Sequence, residues 1–82
     1  MYNENKNIIY QKLRYYRELR QLSQEQLAAK LQTMNVNIDQ QMISKIENNQ
    51  RLVTDYELAC LCVILKVTEK ELLSDFYETY GK

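Results

Sequence analysis

Asp39-Gln40-Gln41-Met42-Ile43-Ser44-Lys45-Ile46-Glu47-Asn48 reads as a short helix that the chain must both hold and display. Ile43 and Ile46 form one apolar face at i, i+3, which leaves Gln40, Gln41, Ser44 and Lys45 directed away from it. A glutamine amide can give a bidentate pair to an adenine edge, a lysine reaches guanine acceptors or phosphate, and serine allows close approach to either. By itself the same pattern also describes a solvated amphipathic helix whose polar face is rich in glutamine. What precedes and follows the stretch decides between them.

The chain has 82 residues, 45% of them hydrophobic, which suits one small domain spanning residues 1–82 with one core. There is no Pro and a single Gly, at position 81, while Leu, Gln, Glu, Lys and Ile are abundant. Such a composition favours helices and predicts an all-α fold. No apolar run approaches the roughly 18 residues of a membrane span, and Met1-Tyr2-Asn3-Glu4-Asn5-Lys6 lacks the apolar core of a signal peptide. The expectation is a cytoplasmic protein without membrane attachment.

Cys60 and Cys62 stand two apart in a helical pattern, too badly placed to bridge each other, and read as small core residues in a reducing compartment. The chain contains no His, which removes the commonest general base and the usual Ser/His and Cys/His pairs. Two thiols are too few for a metal centre. Neither an enzymatic activity nor a cofactor nor a small-molecule substrate is expected.

Net charge is zero, against the usual basic footprint of a nucleic-acid-binding domain. Its distribution is uneven. Residues 1–51 carry eight Lys/Arg against five Asp/Glu, a balance of +3, and residues 52–82 carry three against six, a balance of −3. The glutamine-rich stretch lies in the basic half, which fits one face turned to phosphates and another to protein or solvent. Chance segregation of surface charge gives the same asymmetry.

In chain order, a first helix is expected from about Asn5–Asn7 to Gln21, with Ile9, Leu13 and Tyr16 as its buried stripe. Ser23 and Gln26 form a capping box for a second helix, with Leu22 and Leu27 as its hydrophobic staple. That helix is expected to run through Met34, with Asn35 as a left-handed stop and Val36 as the apolar residue beyond. The same grammar recurs in Asp39 with the staple Ile38/Ile43, in Thr54/Glu57 with Val53/Leu58, and in Thr68/Glu71 with Val67/Leu72. Five helices result, and Leu58, Leu61, Leu65, Leu72, Leu73 and Phe76 can close their core.

Arg17-x5-Ser23-Gln24-Glu25-Gln26-Leu27-Ala28-x2-Leu31, then Ile43-Ser44-Lys45-Ile46-Glu47 and Val53-Thr54-x3-Leu58, resembles the Xre-type helix-turn-helix family of phage repressors and bacterial regulators, over roughly residues 9 to 73. The resemblance implies a five-helix bundle of the lambda-repressor-like type. Its second and third helices would form the helix-turn-helix, with the third in the major groove of double-stranded DNA. Two departures stand out. The segment from Leu31 to Ile43 is longer than the family's usual form, and Asn49 occupies a place the family usually gives to Gly, where the left-handed conformation suits Asn next best.

Carried over by residue, the resemblance implies that Gln24 bonds a backbone phosphate, that Gln40, Gln41 and Lys45 read base edges beside Ser44, and that Asn48 bonds phosphate with Arg51 adding charge. It also implies an ion pair between Arg17 and Glu47. The function expected is sequence-specific DNA binding by a transcriptional regulator, foremost a repressor, acting as a homodimer with the aromatic tail Phe76, Tyr77 and Tyr80 at or beside the contact. The rival from another class is a protein-interaction module of the same fold, an antitoxin or co-regulator.

Overall fold

The expected caps are all made. In a computed structural model that describes residues 4–80, Ser23, Asp39, Thr54 and Thr68 each accept a hydrogen bond from the backbone three residues on, at 2.9–3.1 Å. The glutamine or glutamate three residues after Ser23, Thr54 and Thr68 returns a bond to each cap's own N–H. These boxes satisfy amide donors that a helix start otherwise leaves bare. The helices that follow are α2 (Gln24–Thr33), α3 (Gln40–Glu47), α4 (Asp55–Leu65) and α5 (Glu69–Leu72). Ahead of them runs α1 (Tyr10–Leu19), and behind them α6 (Ser74–Tyr80). Among the described residues there is no strand, so the fold is all-α. Both ends of the expected 1–82 domain, residues 1–3 and 81–82, lie outside the described residues.

Two helices differ from the sequence reading. The first helix begins at Tyr10, not at Asn5–Asn7, because the side chain of Asn7 is bound elsewhere: its amide donates to the carbonyls of Ile46 and Arg51. It ends at Leu19, since Gln21 turns into the left-handed region with φ 60° and lets the Leu22 amide close back on the Arg17 carbonyl. The fifth helix is two. Leu73 leaves helical geometry (φ −94°, ψ 12°) after a single turn, and α6 follows, fastened to α1 by Lys12 and Asp75 at 2.8 Å. Phe76, expected in the core, is half-buried and stacks on Tyr77 and Tyr80.

One cluster of buried side chains joins these elements. Leu13 from α1, Leu27 and Leu31 from α2, Ile43 and Ile46 from α3, Leu61 and Leu65 from α4 and Leu72 from α5 are fully enclosed, together with Ile38 from the α2–α3 connection. That connection absorbs the extra length before α3: Asn35 is left-handed (φ 62°), and the Val36 amide closes on the Leu31 carbonyl at 3.1 Å. Val36 and Ile38 then bury their side chains, so the long turn is anchored on the core. Cys60 and Cys62 are buried free thiols. Burial pushes the Cys62 thiol up to about 11, which keeps it protonated and a poor nucleophile at neutral pH.

Among the described residues, which include no Gly, the left-handed positions fall to Gln21, Asn35, Asn49 and Lys66. Asn tolerates this region; a lysine does not, at a cost of roughly 1–2 kcal/mol. Lys66→Gly should therefore stabilise the fold by about 0.5–1 kcal/mol after the added freedom of the unfolded chain is counted. Urea unfolding would read this as a higher midpoint at unchanged slope, with Lys66→Ala giving no such gain. A midpoint that moves equally in both variants would show that relief of the backbone is not the cause.

Candidate nucleic-acid interface

Helix α3 has a buried side and a bare side. At about 100° per residue, Ile43, Ile46 and Glu47 point inward and are all buried, while Gln41, Ser44, Lys45 and Asn48 fall within about 100° of each other on the opposite side. Gln41, Lys45 and Asn48 are exposed and Ser44 is half-buried. The Asn48 amide bonds back to the Ser44 carbonyl at 2.9 Å and lies 3.4 Å from its hydroxyl. The stripe presents donors and acceptors of both base-reading and phosphate-binding kinds.

Gln40 belongs to the flank of the helix, half-buried against α2. Its Nε2 donates to Oε1 of Gln24 at 2.7 Å, and Gln24 in turn donates from Nε2 to Oε1 of Glu47 at 3.0 Å. Glu47 also receives Arg17, Nε at 2.6 Å and Nη2 at 3.1 Å. The remaining arm of that guanidinium donates from Nη1 to the Leu22 carbonyl at 2.8 Å. A continuous relay Arg17–Glu47–Gln24–Gln40 therefore ties α1, α2 and α3 together where the first residues of α2 and α3 meet. The hydrogen bond to Glu47 is the main reason that the Arg17 guanidinium holds its proton more tightly than usual, against the opposing effect of burial.

Past the end of α3, Asn49 adopts the left-handed conformation expected of it (φ 61°). Its side chain accepts from the amides of Lys6 and Asn7 at 2.8 and 3.2 Å and donates to Asn5 at 2.6 Å. Asn7 returns the grip through the Ile46 and Arg51 carbonyls. The sequence reading placed these residues in a helix start and missed this strap. Its only sequence trace is the run of asparagines Asn3, Asn5, Asn7, Asn48 and Asn49, a residue type that bonds backbone readily outside helices.

Arg51, expected to add charge, lies in a bidentate pair with Glu57, both oxygens at 3.0 Å, and also donates to the Leu52 carbonyl. The guanidinium, more than the bonds from Thr54, holds the Glu57 carboxyl below the ordinary carboxylate range. Since Glu57 is also the third residue of the α4 capping box, the pair fixes the α3–α4 turn. Gln24, Gln40, Gln41, Ser44, Lys45 and Asn48 thus lie on or beside α3, and Arg51 borders them from within an ion pair.

A family model described as helix-turn-helix matches residues 13–72, most of the chain and every element from α1 to α5. No curated protein matches the chain. The Arg17 and Glu47 side chains are 10% and 3% exposed, so either one left alone would be a charge without water. Arg17→Met or Glu47→Leu singly should cost about 3–5 kcal/mol, and the double variant should recover much of that. Additive losses in the double-mutant cycle, measured by chemical denaturation, would refute the coupling.

Proposed function

The chain belongs to the Xre-type helix-turn-helix family of DNA-binding regulators, and from that membership we propose a sequence-specific transcriptional repressor of the cytoplasm, a single domain that reads the major groove with α3. The observation that carries the reading is the outer stripe of α3. Gln41 and Lys45, exposed and one turn apart, are directed away from a buried face that the core holds in place. Gln40 reads beside them from a fixed position: with one N–H bound to Gln24, its carbonyl oxygen and second N–H can still address an adenine edge. Gln24 bonds phosphate at the start of α2, where free amides and the helix dipole favour an anion. Asn48 does so at the far end, and Arg51 adds its charge at the edge.

One recognition helix covers only a few base pairs, so the working form is a two-fold dimer on two half-sites. The contact surface is the tail. Phe76 lies 5.5 Å from Tyr77 and 5.2 Å from Tyr80, ring centre to ring centre, and both tyrosines are exposed. Aromatic side chains of this kind combine apolar area with a polar tip and are enriched at interfaces.

Selection of bound sites from a random duplex pool tests the reading. Gln41→Ala should keep the fold and relax the preference at one base position, with a loss of about 1–3 kcal/mol there. Equal weakening on every sequence would assign Gln41 to the backbone, and an unenriched wild-type pool would remove sequence-specific binding altogether. For the dimer, truncation after Asp75 keeps the Lys12–Asp75 pair and deletes the aromatic cluster. It should yield a folded monomer that binds a palindromic site more weakly, and an unchanged mass and affinity would rule the tail out.

A further inference from the structure

The basic half of the chain has fewer cations available to DNA than its composition implies. Arg17 is held by Glu47, Arg51 by Glu57 and Lys12 by Asp75, and Arg20 is bound to the carbonyls of Leu65 and Lys66 at the end of α4; Arg14 pairs only with Glu18 one turn along the exposed side of α1, and the exposed Lys30 lies near the end of α2. On α3 itself only Lys45 carries a positive charge. Lys6 is brought to the same region by the strap: its amide is 2.8 Å from the side chain of Asn49, the residue that follows Asn48. The Lys6 side chain is exposed, and none of the ion pairs among the described residues involves it.

We propose that the strap Asn5–Asn7 is part of the DNA-binding surface and that Lys6 neutralises a backbone phosphate beside Asn48. This rests on the DNA-binding reading above, and Lys6 lies outside the residues 13–72 that the family model covers. Asn7 and Asn49 are positioning residues. Asn7 binds the Ile46 carbonyl near the end of α3 and Arg51 beyond it, and Asn49 binds the backbone on both sides of the Lys6–Asn7 peptide. The lysine backbone is thereby fixed relative to the recognition helix, and only its side chain is left to move. In a chain of zero net charge, with Lys45 and Lys6 as the cations beside the stripe, each should account for a large share of the salt dependence.

Counterion release makes this measurable, since each phosphate neutralised on duplex DNA adds about 0.9 to the slope of log K against log salt. The full chain is titrated at several salt concentrations into two probes, a duplex recovered by site selection and a duplex of mixed sequence. Lys6→Gln should lower the slope by about 0.9 on both probes and weaken both by the same factor, whereas Lys6→Arg should keep the wild-type slope. Asn7→Ala, checked for folding by circular dichroism, should lower the slope although Lys6 is present, and adding Lys6→Gln to it should change little further. A Lys6→Gln slope equal to wild type overturns the proposal while leaving DNA binding intact, as does a loss confined to the selected duplex. Wild-type binding that is insensitive to salt removes the DNA-binding reading itself, favouring a protein partner, and the proposal with it.

Discussion

The buried contact between Arg17 and Glu47 is the constraint on which the recognition surface depends. Two charges taken out of water are tolerated here because nearly every donor and acceptor finds a partner: Glu47 receives two bonds from Arg17 and one from Gln24, and Arg17 gives its third to the Leu22 carbonyl. A hydrophobic pair of similar volume recovers much of the stability of a buried ion pair. What the ion pair adds is direction. It fixes the start of α2 and the end of α3 to one point on α1, and through Gln24 it reaches Gln40. A helix packed by Ile43 and Ile46 alone could rotate or slide by small amounts with little loss of apolar burial, whereas bidentate geometry does not permit that.

The same economy explains how a chain without net charge can serve a polyanion. Four cations of the basic half, Lys12, Arg17, Arg20 and Arg51, are bound to groups on other elements, and on α3, where Lys45 is the one cation, the outer stripe is dominated by amides. Amides discriminate between base edges and contribute little to non-specific attraction, which is mainly electrostatic.

The helices were legible because their starts are local chemistry. Ser23, Asp39, Thr54 and Thr68 act on amides three residues away, and a short-range rule reads them correctly. Asn35 and Asn49 were legible as left-handed turns for the same reason. Gln21 and Lys66 were not, since neither side chain favours that region. The split at Leu73 was not legible either, nor was the contact between residues 12 and 75 that fastens α6, which no local pattern encodes. For the site, the outer stripe followed from helical periodicity, but the inward bond of Gln40 did not. Gln24 and Gln40 are each the first residue of their helix, and only the angle between α2 and α3 brings the two amides together. Arg51 illustrates the same limit: the sequence shows a cation beside the helix and not the carboxylate six residues on that holds it.

Helix α3 is short, eight residues, and would not persist alone in water. Here both of its ends are fixed independently of DNA. At its start, Asp39 caps the Met42 amide and Gln40 is tied to Gln24. At its end, Asn48 closes back on Ser44, and the Ile46 carbonyl accepts both the Asn49 amide and the side chain of Asn7. Ordering a helix at the moment of binding would subtract its conformational entropy from the affinity. Because that ordering is already complete in the free protein, each contact made by the outer stripe contributes more fully to binding. The strap thus closes the end of α3 from a distance, since Asn7 lies 39 and 44 positions away in the chain from the carbonyls it holds.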